Sequence, residues 1–387
     1  MQRIRTDIRR WPAHLMLLVG LIVPLFAAVP AQAQEAAWMP PAPDGVSARA
    51  VYSIDISSGF ELFSLNADER LAMGSTAKIA TAITTLANID AGTEITIDAS
   101  DPVSDPFEFS NMGLQPGMIF TVEELLYGLL VPSGNDAAAA LARVVGELID
   151  PDSDDPRAAF VDEMNQTAAS LGAVNTHFST ADGLEGVGEH YSTARDMALL
   201  AAELLQDPLL AEIVSTPDAT LTSRGNDATE LTVVNTNKLL GDDSSVIGVK
   251  TGSTTTAGGC LVIASQEGNN TIITVILGSD LVYGGDTGYL VDERWNDIDA
   301  ILNQMRLDYE WIDLEQTTTI EGLETELSAW NVAFKDPASV PIPQAEGDLR
   351  YRLELAPIGP TDSEVGRVLF FAGSTLITER PVYQLAT

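Results

Sequence analysis

The order of strand-like and helical segments is the feature that most constrains the fold of this chain. Alternating apolar residues over Ala48–Asp55 and Phe60–Leu65, joined by a Ser-Ser-Gly turn, predict a strand pair. The apolar spacing then becomes helical in Ser75–Ile89, Thr121–Leu130, Asn135–Leu148, Arg157–Leu171, Ala194–Leu205 and Asp292–Met305. Strand-like runs recur at Val246–Val249, Cys260–Ser265 and Thr271–Leu277. Helices mixed with hairpin-like strands predict an α/β domain with a mainly antiparallel sheet flanked by helices.

The pattern changes near residue 308. From Asp308 onward no helical periodicity is found, and the short alternating stretches Tyr351–Leu355, Gly366–Phe371 and Thr375–Ile377 are separated by Pro and Gly. We therefore predict a small C-terminal all-β domain at residues 308–387, after a larger domain at residues 48–307. Residues 34–47, which contain prolines and few apolar positions, are predicted to be a linker.

The first 33 residues have the features of a secretory signal peptide. A leader with four arginines precedes an apolar run from Leu15 to Val29, and the small residues Ala31 and Ala33 follow. The alternative is an uncleaved membrane anchor, but the run is shorter than the roughly 20 apolar residues of a spanning helix. We expect cleavage after Ala33 and a soluble protein in the periplasm or outside the cell.

Charge and cysteine content exclude several classes of function. The chain has 20 basic and 56 acidic residues and a formal net charge of −36, so nucleic acids and anionic surfaces are not expected partners. Its one cysteine, Cys260, cannot form an intramolecular disulfide. No His-Glu-x-x-His motif, paired-cysteine motif or glycine loop for phosphates or dinucleotides occurs. We therefore expect no metal and no cofactor.

The segment Ser75-Thr76-Ala77-Lys78 carries residues that can perform nucleophilic chemistry. Residues three apart share one face of a helix, so the Lys78 amine is expected to lie over the Ser75 hydroxyl. The positive end of the helix dipole lowers the pKa of a nearby lysine, and a neutral lysine can take the serine proton without a histidine. A surface serine and lysine also fall three apart by chance, which leaves this pair ambiguous when it is considered alone.

Two further motifs follow in order along the chain. Ser133-Gly134-Asn135 opens a predicted helix, and Lys250-Thr251-Gly252 follows a predicted strand. Taken singly, the first motif is also consistent with helix capping and the second with a strand that ends in a turn. The ordered set uses two of the four lysines in the chain, and this indicates one shared active site.

These three motifs resemble those of penicillin-binding proteins and serine β-lactamases. The surrounding sequence is similar to the low-molecular-weight penicillin-binding proteins that are serine-type D-alanyl-D-alanine carboxypeptidases, most clearly over residues 48–305. The similar blocks are residues 176–178, 182–184, 190–197, 235–240, 248–252 and 257–262. The resemblance implies a β-lactamase/transpeptidase-like fold, peptidoglycan stem peptides as substrates and β-lactam antibiotics as covalent inhibitors.

The resemblance also implies a role for each motif residue. Ser75 would be the acylated nucleophile, Lys78 its general base, and Ser133 the proton relay to the departing D-alanine. Backbone N–H groups of Ser75 and Ser253 would form the oxyanion hole. The residues implied in substrate binding are Asn135, Lys250, Thr251, Gly252, Ser253 and Arg294. Among them, Thr251 would bind the terminal carboxylate and Arg294 would assist.

Three alternative functions share these motifs. A DD-endopeptidase cuts peptidoglycan crosslinks, but that branch usually lacks the extra C-terminal domain. A class A β-lactamase has a Glu-x-x-Leu-Asn block after its second motif, and none occurs between Ser133 and Lys250. A catalytically silent binding protein would have no need of the complete polar set. Many members of the carboxypeptidase family end in an amphipathic membrane-surface helix, which this sequence lacks, so no stable membrane anchor is expected.

Overall fold

The computed structural model describes residues 39–103, 109–184, 189–225, 228–284, 288–313, 320–335, 339–345, 349–356 and 360–386. The predicted signal peptide and the start of the predicted linker lie outside these residues. Within the described part of the chain, no helix is both long enough and apolar enough to cross a membrane.

The strands and helices are numbered in chain order. The strands are β1 (Ala50–Asp55), β2 (Phe60–Leu65), β3 (Glu94–Thr96), β4 (Ile119–Thr121), β5 (Asp218–Thr222), β6 (Glu230–Val234), β7 (Val246–Thr254), β8 (Gly258–Glu267), β9 (Asn270–Ser279), β10 (Leu281–Tyr283), β11 (Tyr289–Asp292), β12 (Tyr309–Asp313), β13 (Val332–Ala333), β14 (Ser339–Pro343), β15 (Leu349–Leu355), β16 (Glu364–Ala372) and β17 (Thr375–Gln384). The helices are α1 (Lys78–Asn88), α2 (Val122–Leu130), α3 (Asn135–Ile149), α4 (Pro156–Ser170), α5 (Ala194–Gln206), α6 (Pro208–Ser215), α7 (Arg294–Asp308) and α8 (Leu323–Trp330). A 3-10 helix, Gly74–Ala77, leads directly into α1.

A five-stranded antiparallel sheet forms the centre of the fold, in the order β2-β1-β9-β8-β7. Its inner strands are nearly continuous apolar runs because both faces of the sheet are buried. On β8, Val262 and Ala264 face the apolar cluster built with the helices, whereas Leu261 and Ile263 face a second apolar cluster. This arrangement confirms the predicted α/β fold with an antiparallel sheet.

The helices that carry the site pack together on the first of these faces. Ile79 and Ala80 of α1, Leu141 of α3 and Leu200 of α5 are fully buried in the same cluster. All six predicted helical segments are present, and the predicted strand pair is β1–β2. Helix α6 was not predicted, since its eight residues are too short for the periodicity to be distinctive.

The C-terminal strands form a four-stranded sheet in the order β13-β17-β16-β15, and β12 pairs with β14. The prediction that no helix follows Asp308 is wrong, because Leu323–Trp330 forms α8. This helix covers only two turns and buries just Leu323 and Leu327, so it leaves almost no periodic signal. The second apolar cluster contains residues from both sides of residue 308, such as Val51 and Val368. The division into domains at residues 48–307 and 308–387 stays a prediction.

Candidate active site

Ser75 lies in the 3-10 helix, which is held tightly against strand β7. Gly74 has φ +53°, and a Cβ atom there would lie 2.8 Å from the Ser253 backbone nitrogen. On the strand side, a Cβ on Gly252 would lie 2.6 Å from the Met73 carbonyl oxygen and 2.9 Å from the Thr76 nitrogen. The turn and the strand approach this closely only because both positions are glycine. The Ser75 backbone is therefore fixed beside the end of β7.

Lys78, the first residue of α1, is fully buried and directed at the serine. Its Nζ donates to Ser75 Oγ at 3.0 Å, to Asn135 Oδ1 at 2.7 Å and to the Asp182 carbonyl oxygen at 2.5 Å. These three acceptors hold the amine in one position. The predicted Ser75–Lys78 contact and the predicted link between the first two motifs are both present.

Burial changes the protonation of Lys78. Removal of the ammonium from water lowers the pKa of Lys78 to about 8, while the nearby carboxylates of Asp182 and Asp136 act in the opposite direction. The amine is therefore far closer to its neutral form near pH 7 than an exposed lysine would be. A neutral amine at hydrogen-bond distance from a hydroxyl can act as its general base.

Ser133 and Asn135 lie at the start of α3 and point their side chains toward the site. Gly134 is the N-cap of α3, and no side chain caps the helix, so the interpretation of both residues as simple caps is wrong. Ser133 has φ +66°, and its Oγ is buried with no hydrogen-bond partner among the described residues. Ser133 also lines the cavity that contains Ser75.

Asp136, the next residue, holds a neighbouring loop in place. Its carboxylate accepts hydrogen bonds from the backbone N–H groups of Met112, Gly113 and Leu114 at 2.9–3.0 Å, and from the N–H of Ala137 at 2.9 Å. A role for Asp136 could not be predicted from the sequence, because the loop that it binds lies more than 20 residues earlier in the chain. Ionic hydrogen bonds of this kind stabilise the loop strongly.

The third motif lies within strand β7, which continues to Thr254. The alternative in which the strand ends in a turn at this motif is therefore wrong. Lys250 is buried, and its Nζ donates to the Thr251 carbonyl oxygen at 3.0 Å. Burial, together with the positive charges of Lys78 and Arg294, lowers the pKa of Lys250 well below its usual value. The hydroxyl groups of Thr251 and Thr236 lie 2.6 Å apart.

Arg294 begins α7 and is almost completely buried. Its Nε and Nη2 donate to the two carboxylate oxygens of Asp292 at 2.6 and 3.2 Å. Its Nη1 donates to the carbonyl oxygens of Gly252 at 2.8 Å and Cys260 at 3.4 Å. The guanidinium thus anchors the end of β7, and its charge is compensated by Asp292.

These elements surround a cavity of about 320 Å³. The predicted residues that line it are Ser75, Ser133, Thr251, Gly252, Ser253 and Arg294. Lys78 and Asn135 are held behind Ser75 by the hydrogen bonds described above, and Lys250 is buried next to Thr251. The other lining residues, for which the sequence predicted no role, are Ser110, Asn235, Thr236, Lys238, Tyr289, Asp292 and Trp295. A larger cavity of about 450 Å³ contains none of the predicted site residues.

The family model described as D-alanyl-D-alanine carboxypeptidase matches residues 36–280. The chain belongs to this family. A D-alanyl-D-alanine carboxypeptidase of Streptomyces sp. (strain K15) is 37% identical over 239 residues, which cover 59% of this chain and 79% of that protein. One from Escherichia coli (strain K12) is 32% identical over 275 residues, which cover 68% of this chain and 64% of that protein. The predicted family and the predicted serine carboxypeptidase class are confirmed.

Solved structures show the same relationship. The crystal structure of the Streptomyces K15 DD-transpeptidase has a TM-score of 0.61 and 34% identity, and the match covers 69% of this chain and 100% of that chain. A penicillin-binding protein homologue from Mycobacterium tuberculosis has a TM-score of 0.60 and 29% identity, with 70% and 95% of the two chains covered. The predicted transpeptidase-like fold is confirmed.

Proposed function

We propose that this D-alanyl-D-alanine carboxypeptidase works through an acyl-enzyme at Ser75. The observation that carries the proposal is the buried Lys78 amine, which lies 3.0 Å from Ser75 Oγ. Lys78 takes the hydroxyl proton as Ser75 Oγ attacks the carbonyl carbon of the penultimate D-alanine. The peptide C–N bond breaks, and the departing D-alanine amine receives a proton through Ser133. Water then hydrolyses the Ser75 ester and restores the serine.

Strand β7 supplies the groups that bind the substrate and stabilise the transition state. Gly74 and Gly252 bring the Ser75 turn against β7, which supports an oxyanion hole formed by the N–H groups of Ser75 and Ser253. In this proposal Thr251 binds the terminal carboxylate, which its place in the cavity lining and its contact with Thr236 support. Lys250, the preceding residue of β7, is buried and donates to the Thr251 carbonyl oxygen.

A second candidate function is acyl transfer to an amine, because a solved relative with 34% identity is a DD-transpeptidase. Both reactions pass through the same acyl-enzyme and differ only in whether water or an amine attacks it. The experiment is an assay of products from a pentapeptide ending in D-Ala-D-Ala, with and without a glycyl amine acceptor. Released D-alanine with a shortened acid product supports the carboxypeptidase, and a transfer product supports the transpeptidase. A crosslinked peptide dimer tests endopeptidase activity in parallel.

We also propose that the protein is exported, with peptidoglycan stem peptides and β-lactam antibiotics as its ligands. The basis for export is the basic and apolar leader in residues 1–33. N-terminal sequencing of the protein from its native host should start at Gln34, and a start at Met1 would contradict cleavage. Residues 48–307 are proposed as the catalytic domain and residues 308–387 as the C-terminal β domain.

A further inference from the structure

Lysine is scarce in this protein, and most of it lies at the site. The chain has only four lysines against 56 acidic residues. Three of them, Lys78, Lys238 and Lys250, line or adjoin the active-site cavity. The fourth, Lys335, donates to the Asp362 carbonyl oxygen in the C-terminal region. In so acidic a chain, a positively charged side chain beside the cavity is expected to have a specific binding partner.

Three of the cations at this site are already engaged. Arg294 donates four hydrogen bonds, two of them to Asp292, so little of its five-donor capacity remains for a ligand. Lys78 is directed at Ser75 and Asn135, and Lys250 is buried with its Nζ on the Thr251 carbonyl oxygen. Arg294 therefore supports β7 and has one N–H left for a ligand, so a second cation beside the cavity can contribute to binding a substrate carboxylate.

Lys238 is exposed at the edge of the same cavity. Its ammonium lies 5.2 Å from the centre of the Trp295 ring, and the Trp295 indole N–H donates to Asp292 at 3.0 Å, which fixes the ring. Within the described residues, Lys238 forms no ion pair with a carboxylate. Contact with an aromatic face positions an ammonium without neutralising its charge.

The position of Lys238 indicates which part of a substrate it meets. Thr236 precedes it by two residues, lines the cavity and shares a hydrogen bond with Thr251. Trp295 follows Arg294 directly. Lys238 thus belongs to the part of the cavity lining that contains Thr236, Thr251 and Trp295. Ser133 belongs to a different part, the segment that opens α3.

We propose that Lys238 binds the terminal carboxylate of the D-Ala-D-Ala substrate, and the equivalent carboxylate of a β-lactam, together with Thr251. This inference rests on the proposed function. The ammonium forms an ionic hydrogen bond with the carboxylate at the cavity edge, where water is partly excluded. Lys238 acts on binding and orientation and takes no proton in the reaction.

The test compares Lys238→Met and Lys238→Arg with the wild-type protein. The second-order rate of acylation is measured with benzylpenicillin and with its methyl ester, which lacks the negative charge. Lys335→Met is the matched control, because it removes the same charge and the same side-chain functional group far from the site. Thermal unfolding of each variant verifies that it is folded.

We expect Lys238→Met to slow acylation by benzylpenicillin about tenfold, as an ionic hydrogen bond partly open to solvent implies. The same variant should change acylation by the methyl ester less than twofold, Lys238→Arg should retain most of the rate, and Lys335→Met should match wild type. Equal losses on both ligands, or no loss on either, would overturn the role of Lys238. A wild-type protein that is not acylated at all would refute the proposed function itself.

Discussion

Raising the pH from 7 to 9 should increase the acylation rate of Ser75 about tenfold, because the general base must be neutral. With the pKa of Lys78 at about 8, about 9% of the amine is neutral at pH 7 and about 91% at pH 9. An ordinary lysine with a pKa of 10.5 would be only about 0.03% neutral at pH 7. Burial therefore raises the neutral fraction of Lys78 at this pH about 300-fold. The acylation rate rises with pH because the protonated Lys78 amine cannot accept the serine proton.

The measurement is kcat/KM for acylation by a fluorescent penicillin between pH 6 and 10, since this parameter reports ionisations of the free enzyme. The spontaneous hydrolysis of the penicillin is subtracted, and the unfolding temperature is followed over the same range. Asp182→Asn provides an internal test, because its carboxylate favours the ammonium form of Lys78. That variant should move the midpoint of the profile to lower pH. A flat profile, a rate that falls between pH 7 and 9, or a midpoint that moves upward in Asp182→Asn would refute this account of Lys78.

Three further substitutions test how the site is built. Gly252→Ala should slow acylation about 100-fold, because its Cβ would force β7 away from the Ser75 turn. A rate near that of wild type in stopped-flow labelling would contradict this packing. Asp136→Asn should lower the free energy of unfolding by about 1–3 kcal/mol in denaturant titrations, since the loop at Met112–Leu114 loses its ionic acceptor. Unchanged stability would argue against a stabilising role of these hydrogen bonds. Ser133→Ala should reduce D-alanine release about 10²–10⁴-fold, and an unimpaired variant would mean that another group delivers the proton.

The sequence predicted the parts of the site that follow from local spacing. Ser75 and Lys78 are three residues apart on a helical turn, so their contact could be predicted without knowledge of the fold. The hydrogen bond from Lys78 to Asn135 joins residues 57 positions apart, and those motifs were linked only by their order, the scarcity of lysine and the family resemblance. The central sheet was likewise predictable, because its strands are long, apolar runs with both faces buried.

The remaining wall of the cavity depends on tertiary contacts that leave no local pattern. The β10–β11 hairpin places the Tyr289 hydroxyl 2.9 Å from Ser253 Oγ, a contact across 36 residues. Lys238 is positioned at the cavity by its contact with the Trp295 ring, and Trp295 lies more than 50 residues later in the chain. Substrate contact by Arg294 stays a prediction, and its bonds to Asp292, Gly252 and Cys260 emerge only once β7, β8 and Asp292 are brought together. Partners of this kind cannot be deduced from residue type alone.

The central claim is that Ser75 is the one residue that becomes acylated, and peptide mass spectrometry tests it most directly. The protein is labelled with benzylpenicillin, quenched, digested and mapped, with Ser75→Ala treated in parallel. The account predicts one penicilloyl adduct, on the peptide that contains Ser75, and no adduct in the Ser75→Ala variant. An adduct on any other residue, or one that persists in Ser75→Ala, would contradict it.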